Sequence, residues 1–231
     1  MNQRCNSECF NTANAHLRSL EEILERNDNL FQDDSLRISL VLAESLFVFG
    51  SHPRSFFKTG WRSRDIFFFP PLETPKSPNI NTIGQPFIIP NFHQDQDHQG
   101  AQSGPVSDDN PRVSPTRSEH LFSLALTLIE IGYRKPLWKI NSQFKLPQKA
   151  PLTQNPIAEY MKAKSILDTG KLELQKRMGP EFAQVVIKCL FGDFGVNEDD
   201  LCTRKLQEAY YRQVVVPLKN CLERHLVQNQ P

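Results

Sequence analysis

The sequence predicts a mainly helical domain, on three observations. Its strongest apolar patterns recur at helical spacing, and its strand-like runs are two short segments bounded by prolines. Between them and the later helices lies a proline-rich stretch with few large apolar side chains, which interrupts the helical parts.

In chain order, TANAHLRSLEEILERN (residues 12–27) places Leu17, Leu20, Ile23 and Leu24 on one narrow stripe of an otherwise charged helix. With its polar surroundings it forms an N-terminal segment, residues 1–34. Asp33, Asp34 and Ser35 then offer N-cap oxygens to SLRISLVLAESLFVFG (35–50), which is apolar almost all round and reads as a buried spine. The run Ile66–Phe69, stopped by Pro70 and Pro71, predicts one short strand, and Pro86-Phe87-Ile88-Ile89-Pro90, fenced by prolines at both ends, predicts a second. Two such strands make only a small ribbon.

Nine of the 17 prolines fall between residues 70 and 117. Residues 93–116 carry too little apolar surface to offset the entropy of ordering them, so a long disordered insertion is expected there. HLFSLALTLIEIGY (120–133) resumes the helical pattern, with Ser118 as its cap and Gly132 as its close. Amphipathic helices follow at 155–169, 180–192 and 199–215. Pro217 restarts a last one, 217–226, at the position where its missing N–H is harmless, leaving a tail at 227–231. The main domain is thus 35–226.

Composition narrows the function classes. Lys plus Arg number 27 against 26 Asp plus Glu, a formal charge of +1, which lacks the cation excess of a nucleic-acid-coating protein. No run approaches the roughly 20 apolar residues of a bilayer span, and the start MNQRCNSECFNTANAH lacks the apolar core of a secretory signal. A cytoplasmic or nuclear protein is expected. The five cysteines (5, 9, 189, 202, 221) are odd in number and scattered, which suits reduced thiols; Cys5 and Cys9 have no second pair at zinc-site spacing.

Several of these stretches resemble the C-terminal lobe of protein kinases: LRISLVLAESLFVFGSHP, WRSRDIFFF, QPFII, LFSLALTLIEIGYRKPL, FAQVVIKCLFGDF and YRQVVVPLKNCLE, in that order over roughly residues 35–226. More closely they resemble a fungal family of unknown function that looks like a degenerate kinase lobe and occurs beside prion-inhibition-and-propagation (HeLo-type) and heterokaryon-incompatibility modules. The resemblance implies a kinase-C-lobe-like helical fold and a fungal signalling or self/non-self recognition setting, and no activity.

Phosphoryl transfer needs a Gly-rich phosphate loop, a lysine on the phosphates, a catalytic Asp and Mg²⁺ ligands. The ten glycines never form G-x-G, and the first lysine, Lys58, follows the spine helix. If Ser63-Arg64-Asp65 stands for the His-Arg-Asp triplet, the metal-binding Asn becomes Pro70. If Asp65-Ile66-Phe67-Phe68 stands for the Asn-led strand, which places the strand better, the catalytic Asp becomes Gly60. Asn91-Phe92-His93 sits where a kinase has Asp-Phe-Gly, His120 replaces a bracing Asp, and Ala125 replaces a glycine. Asp65 therefore reads as a strand-start or cap residue, and no catalytic, cofactor-binding or metal residue is assigned.

Other motifs have simpler readings. His93, Asp95, Asp97 and His98 are a cation-ligand set in a polar loop without rigid flanks. Ser77-Pro78 and Ser114-Pro115 fit proline-directed phosphorylation. Ser118-Glu119-His120 reads as a helix start, and YRKPLWK (133–139) as a loop packing its aromatics on a helix. The expected function is a non-catalytic, pseudokinase-like module with protein partners. The alternatives are a divergent nucleotide-binding phosphotransferase with Asp65 or Asp95 on the metal, or a truncated fragment of a larger protein.

Overall fold

The computed structural model describes residues 18–26, 30–50, 60–68, 86–88, 118–142, 155–198 and 200–229. The 93–116 insertion and the motifs at Cys5, Cys9, Ser77, Asn91, His93–His98 and Ser114 lie outside them.

A three-stranded antiparallel sheet sits at one side of the helices, in the order β1–β2–β3. The expected ribbon forms from β2 (Ile66–Phe68) and β3 (Pro86–Ile88), with Phe67 opposite Phe87. An unexpected third strand, β1 (Arg18–Ser19), pairs on the other edge of β2, Arg18 facing Phe68. The first helix, α1 (Leu20–Arg26), therefore starts later than the apolar stripe suggests. Ser19 and Glu22 determine the start as a capping box: the Ser19 N–H donates to Glu22 Oε2 at 3.0 Å, and the Glu22 N–H to Ser19 Oγ at 3.2 Å.

The spine helix α2 runs Gln32–Phe49. Its expected cap residues are not caps: the helix already begins at Gln32, so Asp33 and Asp34 lie in the first turn, where they face the positive end of the helix dipole. Ser35 donates back to the Phe31 carbonyl at 3.0 Å.

Helix α3 (Glu119–Tyr133) is the centre of the fold, with every residue from Leu121 to Gly132 buried. It packs on α2, α4 (Pro156–Met178) and α5 (Pro180–Phe191). Gly132 does not end α3; the left-handed residue is Arg134, at φ 53°. Gly132 is there for contact, since a Cβ on it would lie 2.4 Å from Leu174 Cδ1 and 3.3 Å from Phe182 Cε1. Gly132→Ala should thus destabilise by about 1 kcal/mol, overpacking outweighing the better helix propensity of alanine. A denaturant midpoint at or above wild type would refute this.

Helix α4 is longer than the expected 155–169. Gly170 reads as a stop in sequence, yet the helix passes through it because Leu174 and Met178 are buried on α3 and α5, and the Tyr133 hydroxyl donates to the Gly170 carbonyl at 2.7 Å. Asn155 caps it by accepting the Ala158 N–H at 3.1 Å. Gly179 (φ 95°) turns the chain into Pro180, the first residue of α5, and Gly192 (φ 65°) ends α5.

The expected 199–215 and 217–226 helices are one continuous rod. It starts at Arg204, after a turn in which Asp200 Oδ1 accepts the Cys202 N–H at 2.9 Å. Helix α6 (Arg204–Tyr210) passes through a π-helical segment, Tyr211–Val215, into α7 (Val216–Gln228). Pro217 has no N–H for the Gln213 carbonyl. The wider π turn, in which the Val216 N–H reaches the Tyr211 carbonyl, carries the helix past it without a break. Helix α7 packs on α2 and α5, closing a single core that runs from Leu20 to Cys221. No described helix is long and apolar enough to cross a membrane. Cys189, Cys202 and Cys221 are free thiols, and burial pushes Cys189 well up in pKa.

Candidate functional site

The residues that raised the question of chemistry lie between Gly60 and Asp65, where the chain crosses from α2 toward β2. Residues 63–65 form one 3₁₀ turn. The Asp65 side chain caps it: Oδ2 accepts the Arg62 N–H at 2.8 Å, while the Asp65 N–H donates to the Arg62 carbonyl at 2.9 Å. With 8 % of its surface exposed, Asp65 is turned into the protein. The cap reading of Asp65 holds.

Arg62 is the organising cation. Its Nη2 meets Glu159 Oε2 at 2.7 Å, and its Nε lies 3.2 and 3.3 Å from the two Glu159 oxygens. Its Nη1 donates to the Trp61 carbonyl at 2.8 Å and to Ser123 Oγ at 2.9 Å, and the guanidinium lies over the Phe122 ring at 5.3 Å. A planar fork with five donors can join three segments in this way; a lysine cannot. Gly60 is held alongside, its N–H donating to Glu119 Oε1 at 2.9 Å. The expected capping role of Glu119 is therefore replaced by this long-range bond, and Ser118 takes the N-cap position of α3 without a side-chain cap bond. His120 is half-buried, and desolvation draws its imidazole pKa down, opposed by Glu119 and Asp200. Ala125 is buried in the core.

A second polar layer lies behind the turn. Glu130 Oε1 accepts the Leu137 N–H at 2.8 Å, and the Ser63 side chain lies beside its carboxyl. Lys162, 2 % exposed, donates to the Ile140 carbonyl at 2.6 Å, and burial lowers its pKa. Lys139 reaches the Glu25 carbonyl at 3.1 Å and covers the Trp138 ring at 4.8 Å. Glu21 lies near the Trp138 side chain and Arg64; its pKa is raised, chiefly by burial. The YRKPLWK segment thus does pack its aromatics: Tyr133 on α4, Trp138 toward α1.

Neither Arg62, Glu159, Glu130 nor Lys162 is singled out by motif reasoning, because each pairs with a residue far away in sequence. Glu130 alone leaves a local trace, as the one charge between Leu121 and Tyr133. Among the described residues no group of three or more His, Cys, Asp or Glu side chains is placed to hold a metal ion.

Fold and site together define a mainly helical domain whose central polar cluster ties the 60–65 turn, α3 and α4 together. The chain belongs to the family described as domain of unknown function DUF7580, which it matches over residues 3–225. Neither a curated protein nor a solved structure matches it.

Proposed function

We propose that this chain is a non-catalytic, pseudokinase-like module that acts through protein–protein contacts, in fungal signalling or self/non-self recognition. The observation that carries the reading is the engagement of Asp65 and Arg62. The Asp65 carboxylate, a metal ligand in the phosphotransferase alternative, caps its own turn, and the neighbouring guanidinium is held by Glu159, Ser123 and the Trp61 carbonyl. Freeing either group for phosphate or Mg²⁺ means breaking buried charged bonds, at about 1.5–3 kcal/mol each. The resemblance of residues 35–226 to a degenerate kinase lobe, with Gly60 where the catalytic Asp would stand, supports the same reading.

Titration with Mg-ATP, followed by the melting temperature, tests the non-catalytic part. A nucleotide at 100 times its dissociation constant would stabilise the fold by about 2.7 kcal/mol. The expected result is no shift; an upward shift that disappears in Asp65→Ala would show a nucleotide site at Asp65 and overturn this reading in favour of the nucleotide-binding alternative. Affinity capture from the protein's own cells, with the intact chain and with a chain lacking 93–116, tests the interaction part. A partner retained specifically by the intact chain is expected, and the absence of any on either bait defeats it.

A further inference from the structure

Glu130 occupies a position that no catalytic or interaction role explains. It is 7 % exposed in the most buried helix of the protein. Its carboxyl group meets two segments remote from each other: it accepts the N–H of Leu137 in the strap 134–142, and it has beside it the side chain of Ser63, at the start of the turn that holds Asp65. One side chain therefore lies where both segments meet α3.

The charges around it do not neutralise it. Glu21 faces it from α1 and Glu159 from α4, both of its own sign. Of the cations on the surrounding elements, Arg62 is on Glu159, Lys139 on Glu25 and Lys162 on the Ile140 carbonyl, Arg64 faces Glu21, which also has Asp65 and Glu25 near it, and neither Arg134 nor Lys135 of the strap acts on the Glu130 carboxyl. Among the described residues no cation bonds Glu130. The neutral acid keeps the Leu137 bond, since one oxygen still accepts, and its O–H has the rotatable Ser63 hydroxyl beside it as acceptor. The ionised form sits in the same buried place without a counter-charge, which is costly.

We propose that Glu130 is a proton-operated latch: neutral, it holds the 134–142 strap and the 63–65 turn against α3, and ionised, it lets both loosen. Burial lifts its pKa from the ordinary 4.5 to about 7, against the lowering effect of the Leu137 and Ser63 bonds. In the open strap the group returns to about 4.5. Between these values the closed form holds a proton that the open form has lost. Closure is therefore strongest below about 4.5, weakens as pH rises, and becomes constant above about 7.

Amide hydrogen exchange on the full chain from pH 5 to 8, corrected for the intrinsic rate, reads the latch directly. Protection of the Leu137 amide should fall about tenfold per pH unit up to about pH 6.5 and flatten above 7. Glu130→Gln preserves an acceptor for Leu137 and a donor for Ser63 without a titrating proton, so its profile should be flat. Ser63→Ala removes a bond that favours the ionised form, so its falling limb should extend to higher pH. A flat wild-type profile, a slope that survives in Glu130→Gln, or a plateau unmoved in Ser63→Ala would each overturn the proposal.

Discussion

Replacing Arg62 with alanine should lower the unfolding free energy by about 3 kcal/mol, read as a shift of the urea midpoint at unchanged slope. The loss has two parts. Glu159, whose side chain is only 18 % exposed, is left as a poorly solvated carboxylate, and Ser123 Oγ and the Trp61 carbonyl lose their donor. Arg62→Lys should recover little, because one ammonium cannot address Glu159, Ser123 and the Trp61 carbonyl at once. The double replacement Arg62→Met with Glu159→Leu should recover much of the loss, since the cost of removing one partner exceeds the net worth of the pair. If Arg62→Ala unfolds within about 0.5 kcal/mol of wild type, the pair is a surface contact and the account of the junction fails.

Tyr210→Ala should cost still more, about 3–5 kcal/mol, because it empties a large site in the closed core. Tyr210 is fully buried at the last turn of α6. Its ring stacks on Phe47 (centroids 6.3 Å apart, planes 6° from parallel) and lies 6.3 Å from the tilted Phe194 ring. Its hydroxyl donates to the Ala43 carbonyl at 3.0 Å, joining the C-terminal rod to α2. Tyr210→Phe keeps the rings and loses only that bond, so it should cost about 1 kcal/mol. The ratio of the two losses separates packing from hydrogen bonding. Equal losses would mean that the hydroxyl, not the ring, holds α2 to the rod.

Much of this architecture was legible in the sequence. The all-round apolar pattern of 120–133 predicts the most buried helix, and Pro180 and Gly192 bound α5 as the local rules require. The ribbon strands 66–68 and 86–88 lie inside the proline-bounded runs. What failed did so for local reasons overruled at a distance. Gly170 looks like a helix stop, but burial of Leu174 and Met178 outweighs the roughly 1 kcal/mol that glycine costs a helix. Pro217 looks like a restart, but a helix held on α2 and α5 absorbs it through a π turn. The Ser19-Leu20-Glu21-Glu22 capping box is a local mark of the start of α1, whereas Leu17 extends the apolar stripe upstream of it.

For the site, the sequence by itself narrowed Asp65 to a strand-start or cap residue, and the structure makes it the cap. The sequence also determined which helices are apolar enough to be central. Only the tertiary structure decided that Arg62 meets Glu159, 97 positions away, and that Glu130 accepts the Leu137 N–H with Ser63 beside it. The reason is physical. Caps and amphipathic stripes are relations between residues a few positions apart, whereas a buried charge takes its partner from whichever segment the packing of the core brings within about 3 Å.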